Sequence, residues 1–444
     1  MGSALGTSRF CRNSSGRREI IILRDAVTSD DDGHRVRPVL SAPRWLFLRI
    51  ETADGIVGWG EPILEGRTAT VESVVCELME TYVVGRDSDD IEDIWETLYR
   101  GGYYRGGPIL MSALAGIDQA LWDIKGKRYE LPVYEFLGGS VRSKIRAYQW
   151  IGADDVGALR RQAKTAVDDG YTALKIFGVG RSEQVVSPED ISNSVGRVQT
   201  VREAVGDDID VGVDFHGRTS RGVATVLLKE LEEYDPMFVE EPIVPKHADL
   251  YPKLARETSV PIAVGERLYS RWDFKPHFQP DGVDIVQPDI SHAGGISECK
   301  RIADTAATYD MGTVLTCSVG PIALAACLQI CASTRAAFLQ PANRHRNIDT
   351  YITNSDVLDV ENGYLGIPSD SGLGIDVDIE EVEEKSSFSA LGTHRFGGIA
   401  TVLFPNGDGA LPGGPTNTRY TAEHVDSVQA CDSGPRSNES VFGG

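Results

Sequence analysis

Hydrophobic positions along the chain change their period three times, and each change marks a different kind of structure. From Ile20 to Ile56 apolar residues come in short extended runs, IIIL, WLFLRI and GIVGWG, the last after the turn Ala53-Asp54-Gly55; this predicts strands joined by turns. Between Pro108 and Lys127 the period lengthens. Leu110, Leu114, Ile117, Leu121 and Ile124 recur at three- and four-residue steps and Gly126 follows near the end, which predicts an amphipathic helix with a C-terminal stop. Strands followed by segregated helices predict an α+β module over residues 19–145.

From about residue 145 short apolar runs alternate with longer amphipathic ones. Candidate strands are IRAYQWI (145–151), TALKIF (172–177), IDVGVDF (209–215), MFVEE (237–241), PIAVGE (261–266), VDIVQPD (283–289), GTVLTC (312–317) and AAFLQ (336–340), with helical stretches such as 218–233, 293–309 and 319–333 between them. Eight β units separated by helices predict an α/β fold of the TIM-like barrel type over 146–345. A doubly wound open sheet is the alternative, weakened because no strand is followed by a complete glycine-rich dinucleotide loop. No P-loop and no GxSxG occurs. The first 18 residues are polar and Gly/Ser-rich and read as a loose arm. Residues 346–404 read as a loop with a short returning element, and 405–444 as a disordered, Gly/Pro/Asn/Ser-rich tail.

Composition narrows the partners. Sixty-six acidic against 44 basic residues give a formal charge of −22. Such a surface repels phosphate backbones and anionic lipid, so neither nucleic acid nor a membrane is an expected partner. Lys is scarce beside Arg and acids are spread throughout, the pattern of a protein kept solvated in concentrated salt. The seven cysteines are odd in number and contain no CxxC pair, which argues against a disulfide framework or a structural zinc site. No apolar run approaches a membrane span. A cytoplasmic location and a homo-oligomer are expected.

Side chains at the C-terminal ends of barrel strands face the active site. There the sequence places Lys175, Asp214-Phe215-His216, Glu240-Glu241-Pro242, Gly265-Glu266-Arg267 and Gln287-Pro288-Asp289. Asp214, Glu240 and Glu266 are spaced 26 residues apart, one βα unit each. Three carboxylates at one mouth repel each other without a cation, and hard oxygen ligands select Mg²⁺ or Mn²⁺. A divalent ion chelated by a substrate carboxylate holds the charge that forms when the α-proton leaves. An acid and a base must flank it, and Lys175 and His216 are the candidates.

The chain resembles the enolase superfamily, mandelate racemase subgroup, and within it the galactonate dehydratases. The resemblance covers about residues 19–400 and is carried by APRWLFLRIETADGIVGWGEPILEGR, YYRGGPILMSALAGIDQALWDIKGK, VDFHGR, VEEPI, GERLYSRWDFK, VQPDISHAGGISECKRIA and GPIALAACLQI. It implies an α+β capping domain on a (β/α)7β barrel, with a C-terminal segment returning to the cap. It implies Asp214, Glu240 and Glu266 as Mg²⁺ ligands, His216 as the general acid that protonates a leaving 3-hydroxyl, and Asp289 as the partner of a histidine base at the seventh strand. It further implies that the Gly58-Trp59-Gly60-Glu61 loop and the YYRGG stretch close over the substrate. The expected reaction is β-elimination of water from a sugar acid, an aldonate such as galactonate, to a 2-keto-3-deoxy acid.

Two positions depart from that pattern. Thr316 stands where the seventh-strand histidine is expected, and Pro341 where an eighth-strand glutamate is expected. Three readings follow: His216 serves as both base and acid, Lys175 serves as base on a substrate of different configuration, or the chain binds ligand without turnover. His292, in the turn after the sixth strand, is a further candidate. Racemisation or epimerisation beside a carboxylate is the alternative reaction.

Overall fold

The computed structural model describes residues 9–12, 18–24, 46–180, 184–279, 281–317, 320–342 and 348–382. The expected tail, 405–444, lies outside the described residues, as does 383–404 of the expected returning segment.

The N-terminal module is built on a four-stranded antiparallel sheet in the order β1 (Arg9–Arg12), β2 (Arg18–Arg24), β3 (Leu46–Glu51), β4 (Val57–Gly60). Within the loose arm expected over residues 1–18, Arg9–Arg12 is an edge strand, and residues 1–8 and 13–17 lie outside the described residues. An edge strand needs only main-chain hydrogen bonds on one side, which a polar stretch supplies without any hydrophobic alternation to announce it. The helix Pro108–Arg128 packs across β4. A Cβ on Gly58 would collide with the Ala120 carbonyl and one on Gly60 with the Gly116 carbonyl, so the alternate glycines of GIVGWG let helix and strand backbones touch. Proline at its first position and Lys125, Lys127 and Arg128 in its last turn suit the helix ends.

The barrel follows with eight parallel strands: β5 (Lys144–Ile151), β6 (Ala173–Phe177), β7 (Asp210–Asp214), β8 (Phe238–Glu240), β9 (Ile262–Val264), β10 (Ile285–Val286), β11 (Gly312–Val314) and β12 (Ala337–Pro341). They pair in sequence order, and β12 closes onto β5 through Gln340↔Ala147 and Pro341↔Tyr148. Ser187 and Asp190 form a capping box at the helix Pro188–Val205, and Ser220 caps the helix Arg221–Leu231.

The barrel interior explains where the functional side chains stand. Tyr148, Ala173, Phe238, Ala263, Ile285, Val314 and Leu339, from seven strands, form a buried cluster of their own. Because side chains alternate along a strand, the residues two positions later point the same way, one layer nearer the C-terminal mouth. Those residues include Lys175, Glu240, Gln287, Thr316 and Pro341. Gly212 lies in the lower layer, where a Cβ would crowd the Phe238 ring, and Asp214 lies two residues above it.

A last hairpin, β13 (Val360–Glu361) and β14 (Tyr364–Gly366), adds antiparallel to β5. The chain then reaches the cap, where Leu373 N donates to Asp123 Oδ1 (2.9 Å) and Val133 N to Gly372 O (3.0 Å). The expected boundary at 345 is therefore blurred: the C-terminal segment extends the barrel sheet before it returns. Cap and barrel are also tied by Trp95 Nε1 to Gly294 O (2.9 Å) and Trp122 Nε1 to Ser297 Oγ (2.8 Å). Cys76, Cys299, Cys317, Cys327 and Cys331 are free thiols. Among the described residues no helix is long and apolar enough to cross a membrane.

Candidate active site

Lys175 lies within β6, not at its end as the sequence reading had it, and is buried. Its Nζ is 2.6 Å from Glu240 Oε2 and 3.2 Å from Asp214 Oδ2. Gln287 Nε2 donates to the same Glu240 oxygen at 3.0 Å, whereas Glu240 Oε1 is buried without a hydrogen-bond partner among the described residues. Burial alone would lower the Lys175 pKa, but Glu240, Tyr148 and Asp214 outweigh it and hold the ammonium well above its ordinary value. Tyr148 supports the lysine from below, its ring centroid 5.7 Å from Nζ.

His216 stands on the lip. Its Nε2 is 3.0 Å from Asp214 Oδ2, its main-chain N donates to Asp214 Oδ1 (2.7 Å), and its ring lies 4.6 Å from that of Phe177. Burial lowers the imidazole pKa, but Asp214 overrides that and raises it to about 9. Burial likewise pushes Asp214 up, and His216 and Lys175 together bring it well below the carboxylate range. The His216 side chain is 26% exposed against 7% for Lys175, so the imidazole is the more open of the two.

Glu266 follows Gly265, whose φ of 154° and close approach to the Gln287 backbone exclude a side chain. It is half-buried and sits one residue outside the alternation that aligns the other strand ends. Among the described residues no three His, Cys, Asp or Glu side chains stand close enough to enclose an ion; the Lys175 ammonium sits between Asp214 and Glu240. The donor chemistry nevertheless fits a hard divalent cation: oxygen ligands only, two of them buried, with one carboxylate oxygen unpartnered.

The opposite side of the mouth is different. Asp289 is buried, accepts from Ser291 N (2.8 Å), and is raised to about 6 by burial against the opposing pull of His292. Its strand-like partner is Thr316, reached through the backbone. The Thr316 hydroxyl donates to Gln287 O (3.2 Å), which leaves it no role as a base. Pro341 completes β12 against Tyr148 and offers no donor. His292 is turned to the cap, with Nδ1 2.9 Å from Ser112 Oγ and Nε2 3.6 Å from Glu65 Oε2. Burial lowers it, but Asp289 and Glu65 outweigh this and raise it to about 9.

The expectation that Gly58-Trp59-Gly60-Glu61 closes over a ligand is corrected. Val57–Gly60 is a sheet strand, Trp59 and Glu61 are buried, and Glu61 Oε2 accepts from Ala323 N (3.0 Å) at the start of the helix Pro321–Ser333. Burial raises its carboxyl to about 8. Tyr103 and Tyr104 stand out in solvent.

The chain matches known proteins over most of its length. Residues 18–138 match the mandelate racemase/muconate lactonizing enzyme N-terminal domain, and 158–382 the enolase C-terminal domain-like family. The chain belongs to the mandelate racemase branch of the enolase superfamily. It is 46% identical over 369 residues to a D-galactonate dehydratase of Cronobacter sakazakii, covering 81% of this chain and 96% of that one. It is 47% identical over 350 residues to the D-galactonate dehydratase of Ralstonia pickettii, covering 78% and 91%. Among solved structures it resembles a mandelate racemase/muconate lactonizing enzyme from Sulfitobacter sp., at a TM-score of 0.76 and 27% identity over 83% of this chain and 94% of that one. An enolase superfamily member from Salmonella Typhimurium superposes at a TM-score of 0.73, with 28% identity and coverage of 82% and 97%.

The side chains not assigned from sequence are Tyr148, Gln287, Glu241 and Arg267. Gln287 and Tyr148 are recoverable from the two-residue alternation. The Glu241–Arg267 pair left no such signal, because two neighbouring strand ends had to meet first.

Proposed function

We propose that the chain is a Mg²⁺-dependent hydro-lyase that removes water from a five- or six-carbon aldonate, as its D-galactonate dehydratase relatives are named for doing. The observation that carries this is the packing of Asp214 and Glu240 against one ammonium, with a Glu240 oxygen still unpartnered and a histidine at the lip. Asp214, Glu240 and Glu266 would hold the ion. When bound, it supplies Lewis-acid stabilisation of negative charge on the substrate carboxylate.

The chain's own residues then divide the work. Asp214 engages His216 Nε2 and leaves Nδ1 as the nitrogen free to move protons. In its neutral form, which the raised pKa makes the stronger base, His216 takes the C2 proton and returns a proton to the departing 3-hydroxyl from the same face, a syn elimination. Lys175, enclosed below, neutralises Glu240 and Asp214. The products are water and an enol that tautomerises to a 2-keto-3-deoxy acid, so atoms balance without a co-reactant. Racemisation fits less well. It needs proton-carrying groups on both faces of C2, and on the far side Thr316 gives its hydroxyl to a main-chain carbonyl.

The test is an aldonate panel with Mg²⁺ in molar KCl, following 2-keto acid formation, with parallel runs in D₂O. Dehydration yields a 2-keto acid carrying deuterium at C3. A product with unchanged oxygen count would reject dehydration for epimerisation. Thermal stabilisation by an aldonate and Mg²⁺ without turnover or exchange at C2 would reject catalysis for binding.

A further inference from the structure

His216 has φ 49° and Gly217 φ 59°, two successive residues in the left-handed region; Glu241, on the neighbouring strand end, has φ 41°. For histidine and glutamate that conformation is costly and persists only where surroundings enforce it. The enforcement is visible. Arg267, from the end of β9, places Nε 2.8 Å from Glu241 Oε2, pairs Nη2 with the same oxygen, and donates from Nη2 to the main-chain O of His216 at 2.9 Å. Gly217 N donates to Glu241 O at 2.7 Å. Glu241 itself is fully buried. One planar guanidinium thus pins the ends of β7 and β8 from the end of β9, a span its fork geometry suits and an ammonium does not. A Cβ on Gly217 would collide with Arg267 Nη2, so the glycine is what lets the arginine in.

We infer that Arg267, seated on Glu241 and admitted by Gly217, is a positioning residue that fixes the backbone of His216 so that its imidazole faces the mouth. The second acid of the Glu240-Glu241 pair therefore serves aim, not ligation. The inference rests on His216 being the proton-carrying group proposed above, and the test separates the two.

The experiment compares Arg267→Ala, Arg267→Lys, Gly217→Ala and His216→Asn, with the Arg267→Ala/His216→Asn double variant. Misplacing a reacting group by about 1 Å costs about 10²-fold, so Arg267→Ala should lose about that in kcat with KM little changed. Guanidinium chloride, but not urea, should restore part of it. In the His216→Asn background the same change should cost nothing further, because a residue acting only through His216 has nothing left to lose. Losses that multiply would overturn the inference. Arg267→Ala strands a buried carboxylate and is at risk of misfolding; Arg267→Lys keeps a cation beside Glu241 and is the safer variant. Its crystal structure should show His216 out of the left-handed region. A His216 that keeps that conformation and its contact with Asp214 would overturn the inference whether or not the protein turns over. Absence of turnover in the unsubstituted protein would instead count against the dehydratase reading alone.

Discussion

The strand ends from β6 to β9 and those from β10 to β12 are built from the same alternation and furnished differently. The first group presents Lys175, Asp214, His216 and Glu240, cross-linked by ion pairs and side-chain hydrogen bonds, with Glu266 half-buried beside them. The second presents Asp289, Thr316 and Pro341, joined mainly through main-chain contacts: Thr316 N to Pro288 O at 3.0 Å and Ile290 N to Thr316 O at 3.3 Å. A barrel is held by its ladder and its interior layer, neither of which depends on what projects at the mouth. Half of the mouth can therefore lose proton-transfer groups without loss of the fold, while the other half, where charges depend on one another, is much less free to change.

The largest effect should come from breaking the charged half at its centre. Glu240→Gln should abolish Mg²⁺-dependent aldonate binding and turnover; calorimetric Mg²⁺ affinity equal to that of the unsubstituted protein would reject Glu240 as a ligand. His216→Asn should lower kcat by about 10²–10⁴-fold, the usual worth of a positioned proton carrier, while Mg²⁺ still binds. Full activity there would move the chemistry to the other half. Thr316→His tests that other half directly. With Asp289 beside it, a new imidazole should raise galactonate turnover by about tenfold or more; no gain would mean that Pro341 or the pocket shape also limits the reaction.

A smaller effect separates two histidines in the first half. His277, unlike His216, is buried neutral. It faces Pro245 O through Nε2 at 3.1 Å, its Nδ1 has no hydrogen-bond partner among the described residues, and burial depresses it from 6.5 to about 4. Below pH 6.5 the unfolded chain binds a proton that the folded one refuses, so this group's stability contribution is complete above 6.5 and is lost as pH falls towards 4. His277→Phe should flatten urea stability across that window, and an unchanged acid limb would contradict the assignment. The smallest effect is global: with a formal charge of −22, the melting temperature should climb with molar KCl, and a salt-indifferent curve would dismiss the halophilic reading.

Much of this was legible in advance where periodicity is strong. The helix expected over 108–127 spans Pro108–Arg128, and the strand expected over 172–177 spans Ala173–Phe177. The strand expected over 283–289 shrinks to Ile285–Val286, because Pro288 has no N–H to give the ladder and pairing resumes only as the single bridge Asp289↔Thr316. The edge strand Arg9–Arg12 gave no hydrophobic signal. In the site, the acids were readable from their even spacing, and the two departures from family pattern were readable as residue identities.

The order of residues determined a barrel with a cap, which acids lie at strand ends, and that position 316 carries no imidazole. Those are properties of spacing and of side-chain chemistry, and both are written linearly. Folding decided that Lys175 neutralises Asp214 and Glu240, that Glu61 anchors a helix instead of meeting a ligand, and that Arg267 holds His216. Each of these is a contact between strands or domains distant along the chain, and its energy depends on distance and burial that exist only once the barrel has closed.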